Sequence, residues 1–234
     1  MKVISLSGSF YKTTSDSDNY YVITTSGIVV VDKNNEQIKT SGNTSYYFTD
    51  IWTDENSSLI YISSSGNGVL AVDKGHLNLS DISNKFGSKY SEPEISSNDV
   101  LCINGNSSTN LLIGTASGTD LIIDGNVYTS TSFYPVTDVF ILDSNKIFYS
   151  GDFGLAGAVD ENLSYDWEEA DLSFVIDETT IPTIDALPIR DIDVTENDYY
   201  ITIGLATYSG IQIINYIKGS TINTSSVLKL LVGS

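Results

Sequence analysis

The sequence predicts an all-β fold, a β-propeller of about five four-stranded antiparallel blades in one domain spanning residues 1–234. Three observations carry this: a strand–turn–strand unit recurring along the chain, almost no helical periodicity, and a composition rich in turn residues. Hydrophobic residues make up 41% of the chain and Tyr occurs 15 times, so there is ample surface to fold around and disorder is not expected.

The recurring unit is anchored by an apolar run that closes on Asp or Asn. It appears at Gly27–Asp32, Gly68–Asp73, Leu121–Asp124, Leu155–Asp160 and Gly210–Asn215. A second apolar strand precedes each run: Tyr20–Thr24, Leu59–Ser63, Leu111–Thr115, Ile147–Ser150 and Tyr199–Ile203. Ser/Gly-rich turns join the two, with glycine supplying the positive φ of a hairpin. Upstream lies a third strand headed by Asp, at Asp50–Thr53, Asp99–Ile103, Asp138–Ile141 and Asp191–Val194, with Val3–Leu6 as a fifth copy lacking its Asp. Downstream come polar segments such as Glu36–Thr40 and Asn126–Ser130, suited to an outer edge that must avoid pairing with other chains. Three apolar strands and a polar fourth make a propeller blade, whose faces are covered by its neighbours. The helical exception is Asp166–Asp171, one turn at most, inside the longest insertion, Glu161–Arg190.

The segment from Asp50 to Leu70, with Leu112–Thr115, resembles the propeller repeat of two-component-regulator sensor domains. There, an acidic turn precedes a strand of the Leu-Tyr-Ile-Gly-Thr type and then a Gly-led strand. The resemblance touches all five units through loose motifs and implies a fold, with no activity attached.

Ring closure has two readings. Val227–Val232 is one strand more than five units need, so it either completes the first blade as its innermost strand or docks elsewhere. In the second case Val227, Leu228, Leu230 and Leu231 form a docking strand.

The formal net charge is −19, from 30 acidic and 11 basic residues. Such a surface repels phosphate backbones and anionic lipid, so neither nucleic acid nor membrane is expected as a partner. No run reaches membrane-spanning length and no signal peptide is recognisable, which predicts a soluble chain. The single Cys102 permits no internal disulfide and reads as core filling.

Asp50, Asp99, Asp138 and Asp191 are the most specific constellation. At equivalent heights around one channel mouth, such a carboxylate ring could hold a hard cation such as Ca²⁺. Turn-capping through backbone N–H groups is the commoner role for such residues. A glycosidase would need a raised-pKa acid, for which Glu94 and Glu196 are candidates, and a second carboxylate across the sugar. Nothing singles these residues out. His76, the only histidine, sits in a polar turn and gives no sign of a catalytic triad or a transition-metal site. Asp16–Asn19 faintly resembles a calcium loop without its Gly or later Glu. The pairs Tyr20/Tyr21, Tyr46/Tyr47 and Tyr199/Tyr200 put a ring on each face of a strand, where packing against neighbouring blades is the default and exposed members near blade edges could stack on sugars or anchor a protein interface.

The expected function is therefore a non-catalytic binding or assembly module without cofactor. The Ser/Thr/Asn/Tyr-rich, Met- and His-poor composition is similar to that of phage virion proteins. That points to a virion structural or host-attachment component, with virion or scaffold proteins or a surface glycan as partner. A lectin and a propeller glycosidase are the alternatives.

Overall fold

In the computed structural model the described residues are 9–25, 27–35, 38–40, 46–78, 87–131, 135–143, 146–151, 154–159, 172–176, 189–207, 210–217 and 226–230. They form five four-stranded antiparallel sheets, each built from strands consecutive in sequence. Sheet 1 holds β1 (Phe10–Ser15), β2 (Asn19–Thr24), β3 (Gly27–Asp32) and β4 (Ile38–Thr40). Sheet 2 holds β5 (Tyr47–Thr53), β6 (Leu59–Ser65), β7 (Gly68–Asp73) and β8 (Gly87–Tyr90), with a short 3-10 helix at Lys74–Asn78. Sheet 3 is β9 (Val100–Ser107), β10 (Asn110–Thr115), β11 (Gly118–Ile123) and β12 (Asn126–Thr131). Sheet 4 is β13 (Val136–Asp143), β14 (Lys146–Gly151), β15 (Gly154–Val159) and β16 (Leu172–Ile176). Sheet 5 is β17 (Ile189–Glu196), β18 (Tyr200–Thr207), β19 (Gly210–Ile217) and β20 (Ser226–Leu230).

The order of strands within each sheet matches the repeat read from the sequence, with two differences. The inner strand of sheet 1 is β1, which the sequence reading left unassigned; Val3–Leu6 lies outside the described residues. The C-terminal strand does not enter sheet 1: β20 pairs antiparallel with β19 as the outer strand of sheet 5, and Leu231 lies outside the described residues. Both follow from local connection, since a strand beside its sequence neighbour needs only a short loop to close. Likewise, β16 comes from within the long insertion and pairs with β15, whereas Asp166–Asp171 lies outside the described residues.

The third strand of every sheet begins on glycine. Gly27 and Gly210 take φ of 125° and 128°, a region that disfavours a Cβ. The same turn is closed by a hydroxyl at the end of the second strand: Thr24, Thr115 and Thr207 each donate to the carbonyl of the glycine three residues on.

Four apolar clusters pack the sheets in succession. Tyr21, Ile23, Ile28 and Val30 of sheet 1 meet Ile51, Ile60, Ile62 and Leu70 of sheet 2. Tyr61 and Val69 of sheet 2 meet Ile103, Leu111 and Ile113 of sheet 3. Cys102, Leu112 and Leu121 of sheet 3 meet Val136, Val139 and Ile147 of sheet 4. Phe148 and Leu155 of sheet 4 meet Ile192, Ile203, Leu205 and Ile214 of sheet 5. Sheets 2, 3 and 4 each contribute to two of these clusters and are apolar on both faces at their centres, which is the packing that continuous apolar second and third strands require.

One close approach tests this packing. A Cβ on Gly114 would stand 2.4 Å from Cys102 Sγ and 3.0 Å from the Val136 carbonyl oxygen, with sheet 4 directly behind. Gly114→Ala is expected to destabilise the domain by about 2 kcal/mol through overpacking, read as a lower urea midpoint at unchanged slope.

Candidate functional site

The inner strands pack side by side and converge on one neck. Each carries a bulge near its start, and the residue just past it is Asp50 in β5, Cys102 in β9, Asp138 in β13 and Asp191 in β17. In β1 the register shift runs from Phe10 to Thr13 and brackets Lys12. Three of the four aspartates named from the sequence thus occupy equivalent positions. Asp99 does not: it precedes β9 and accepts from the Ser65 hydroxyl at 2.6 Å, while Cys102 takes the ring position. The bulge of β9 lies between Val100 and Cys102, as in the other inner strands, and Asp99 stands three residues before the ring position.

The ring is not a free carboxylate cage. The Lys12 ammonium stands 3.2 Å from Asp191 Oδ1 and 3.9 Å from Asp138 Oδ1. Asp138 and Asp50 also bridge to the next inner strand: the Ile192 N–H donates to Asp138 Oδ2 at 2.6 Å, and the Ile103 N–H to Asp50 Oδ2 at 3.1 Å. The preceding threonines complete the clamp. Thr49 donates to the Val100 carbonyl at 2.7 Å and Thr137 to the Ile189 carbonyl at 3.1 Å. Between sheets 3 and 4, Asn104 accepts from the Ile141 N–H at 3.2 Å and the Cys102 thiol points at the Val136 carbonyl at 3.5 Å. Among the described residues no group of three or more His, Cys, Asp and Glu side chains is arranged to hold a metal ion.

Burial sets the electrostatics of the neck. It pushes Asp138 up to about 8 and Asp50 up to about 6, against the pull of Lys12 and the backbone donors. Burial also opposes the charge on Lys12, but Asp138, Asp50 and Asp191 outweigh it and the ammonium is raised. The Cys102 thiol is pushed well up by burial, with Asp138 and Asp50 adding to it, so it is a poor nucleophile.

At the opposite ends of the strands, Asp16–Asn19 forms a turn of a different kind. Asp16 Oδ1 accepts from the Asp18 and Asn19 N–H groups, and Oδ2 accepts from the Tyr21 hydroxyl at 2.7 Å and pairs with Lys74 at 2.9 Å. Lys74 also donates to the Asp54 carbonyl, so it staples sheet 1 to sheet 2. Burial acts against the Asp16 charge, yet Lys74 and Tyr21 hold the carboxyl down at about 2. A polar cavity of about 350 Å³ opens beside this pair, lined by Asp18, Asn19, Glu55, Ser57 and Gly75 among others.

Of the remaining candidates, Glu196 pairs with Lys146 at 3.3 Å, and Glu94 and His76 are exposed. The tyrosine pairs depart from the packing expectation. Tyr21 is buried and Tyr46 packs against the first cluster, but Tyr20, Tyr47, Tyr199 and Tyr200 are exposed. Within the first two pairs, adjacent residues face opposite sides of the strand, and the ring turned to the first cluster is the one that packs. Sequence reasoning missed Lys12, which belongs to no repeat. It also missed Asp120, fully buried in β11 and held by Ser96 and the Thr129 hydroxyl.

The chain is a β-propeller repeat protein. Among solved structures it is similar to the extracellular domain of a protein assigned as a one-component system in B. thetaiotaomicron, with a TM-score of 0.66 and 15% identity over 91% of this chain and 28% of that one. It is also similar to the WD40 propeller domain of Doa1, at 0.63 and 11% over 94% and 67% respectively. Kuenenia stuttgartiensis hydrazine synthase matches at 0.64 and 13%, over 95% and 66%. At these identities the likeness is one of fold, and the chain spans under a third of the sensor domain's length. No family model and no curated protein matches the sequence. Among the described residues no helix is long and apolar enough to cross a membrane.

The neck carboxylates predict an unusual stability profile. Asp138 and Asp50 stay protonated in the folded chain above the ordinary value of 3.8. The folded state therefore holds protons that the unfolded state has released, and stability falls as pH rises from about 4 towards 8. Asp16 acts in the other direction, its contribution being lost as pH drops from 3.8 towards about 2. Thermal melts should peak at about pH 4 to 5. Asp138→Asn, which keeps an acceptor for the Ile192 N–H, should flatten the decline at its upper end. An unchanged slope there would assign the decline to global repulsion instead.

Proposed function

We propose that this chain is a rigid, non-catalytic propeller module for binding or assembly, most concretely a structural or host-attachment component of a phage virion. The observation that carries this reading is the division between neck and rim. The neck polar groups are engaged with the backbone of adjacent sheets and with Lys12, so they serve the ring. The exposed aromatics lie outside the apolar clusters: Tyr47 is 79% and Tyr199 72% exposed, and Tyr20 and, just before Lys12, Phe10 and Tyr11 are also over half exposed. Aromatic side chains presented this way are the usual anchors of protein interfaces.

The acidic surface, with a formal charge of −19, favours a basic partner face and disfavours nucleic acid. The composition, poor in Met and His and rich in Ser, Thr, Asn and Tyr, supports a virion setting. A glycan is the second reading, favoured by the polar cavity beside Asp18, Asn19 and Glu55, whose groups suit sugar hydroxyls. Hydrolysis is disfavoured because Asp138, the carboxyl with the raised pKa, has a side chain only 8% exposed and accepts a backbone N–H.

Purified phage particles from cultures carrying the gene should contain the chain by mass spectrometry and bind an antibody raised against it. Recombinant Tyr47→Ala and Tyr199→Ala should melt like the parent and associate at least about tenfold more weakly with particles lacking the chain. Its absence from particles, together with saturable binding on a glycan array, would move the assignment to the lectin reading. Undiminished association of both variants would sink the role given to the aromatic rim.

A further inference from the structure

We infer that the seam between sheet 5 and sheet 1 is the place where this ring opens, and that Lys12 is the latch that holds it shut. Four of the five interfaces are closed by an apolar cluster drawing on both sheets. The fifth differs. Val22, Val29 and Val31 of sheet 1, on the face opposite the one that packs on sheet 2, form a cluster to which no described residue of sheet 5 contributes.

The alternation along sheet 5 explains why. On β17 and β18 the apolar side chains, Ile192, Val194, Ile201, Ile203 and Leu205, point to sheet 4. The other face, turned towards sheet 1, carries Asp191, Asp193, Thr202, Gly204 and Ala206 on these two strands, and Ile211 and Ile213 on β19, where Ile211 is 47% exposed and Ile213 only partly buried. Asp191 and Asp193 are exposed, and the three small residues are only partly buried. Small and charged groups opposite a valine patch bury little apolar area, which is what drives closure elsewhere in the ring.

Strand exchange does not compensate, since among the described residues every sheet is assembled from its own consecutive strands. Nor does the Thr–Asp clamp extend to this seam. Thr49–Asp50 and Thr137–Asp138 each grip the next inner strand, whereas the corresponding pair in β17 is Arg190–Asp191, and Asp191 bonds Lys12. The latch is therefore a charge pair where its neighbours use apolar packing and backbone clamps. Its two side chains are 41% and 62% exposed, so added salt screens it while leaving the other interfaces alone. Lys12 also faces Asp138 and Asp50 from sheets 4 and 2, which centres its ammonium on the neck. An opening at this seam would swing β1 and β17 apart and keep sheets 2 to 4 as one block.

Hydrogen exchange followed by mass spectrometry on the full chain tests this, because the five inner strands are equivalent in position and serve as one another's controls. The expected result is exchange in β1 and β17 at least about tenfold faster than in β9 and β13, accelerated further by molar salt in β1 and β17 only. Lys12→Gln at low salt should reproduce the high-salt pattern. Equal exchange in all five inner strands, or salt and K12Q effects spread evenly over them, would overturn the proposal. If K12Q does not fold, Asp191→Asn decides, since it leaves Lys12 beside Asp138. Acceleration confined to β1 and β17 supports the latch, and unchanged exchange in D191N overturns it.

Discussion

A four-stranded sheet that is apolar on both faces has no stable existence by itself, and this constraint organises the whole chain. The second and third strands of sheets 1 to 3 are nearly continuous apolar runs, such as Gly27–Asp32 and Leu111–Thr115, with every described side chain at their centres buried. Water can be excluded from both faces only if each sheet stands between two others. A radial stack satisfies that for every sheet, provided the two ends meet. Inner-strand convergence and the existence of a neck are consequences of that requirement.

Convergence creates a problem that the neck residues solve. The free edge of each inner strand faces the axis instead of another strand, so its N–H and C=O groups need partners. Thr49–Asp50 and Thr137–Asp138 supply them across the interface, one residue donating and the next accepting. The carboxylates are thereby crowded and buried, at 6% exposure for Asp50 and 5% for Asp138. One lysine moderates the resulting repulsion. What resembles a cation site in the sequence is a set of backbone clamps with a built-in ammonium.

The repeat was legible because it follows from period-2 apolar runs bounded by glycine turns, and neither signal depends on distant contacts. The neck was legible in part. Asp50, Asp138 and Asp191 stand just past the bulge of their strands, but Asp99 lies three residues too early, so Cys102 takes its place in the ring. Lys12 was invisible for a physical reason. It lies on the one inner strand with a polar, exposed sequence, Phe10–Ser15, which carries no apolar alternation to mark it as a strand. Its role depends on the ring bringing residue 12 beside residues 138 and 191, a contact that no local pattern encodes. The tyrosine pairs split because adjacent residues face opposite sides of a strand: Tyr21 and Tyr46 pack on the first cluster, whereas Tyr20 and Tyr47 protrude.

A fold of this kind places its rigid parts and its variable parts in different hands. The interior must conserve shape from sheet to sheet, since a single Cβ at Gly114 would collide with both Cys102 and Val136. The strand ends carry no such restriction, and there the sheets diverge: Tyr47 on one, Tyr199 and Tyr200 on another, the Asp16–Lys74 staple and its cavity on a third edge. Recognition by such a molecule belongs at those ends, where a side chain can change without disturbing its neighbours. Among the described residues, the seam beside Lys12 is the exception, an interior surface polar enough to move. A partner that gripped rim residues on both sides of it would bind a closed ring and an opened one with different affinity, and that difference would couple binding to the state of the latch.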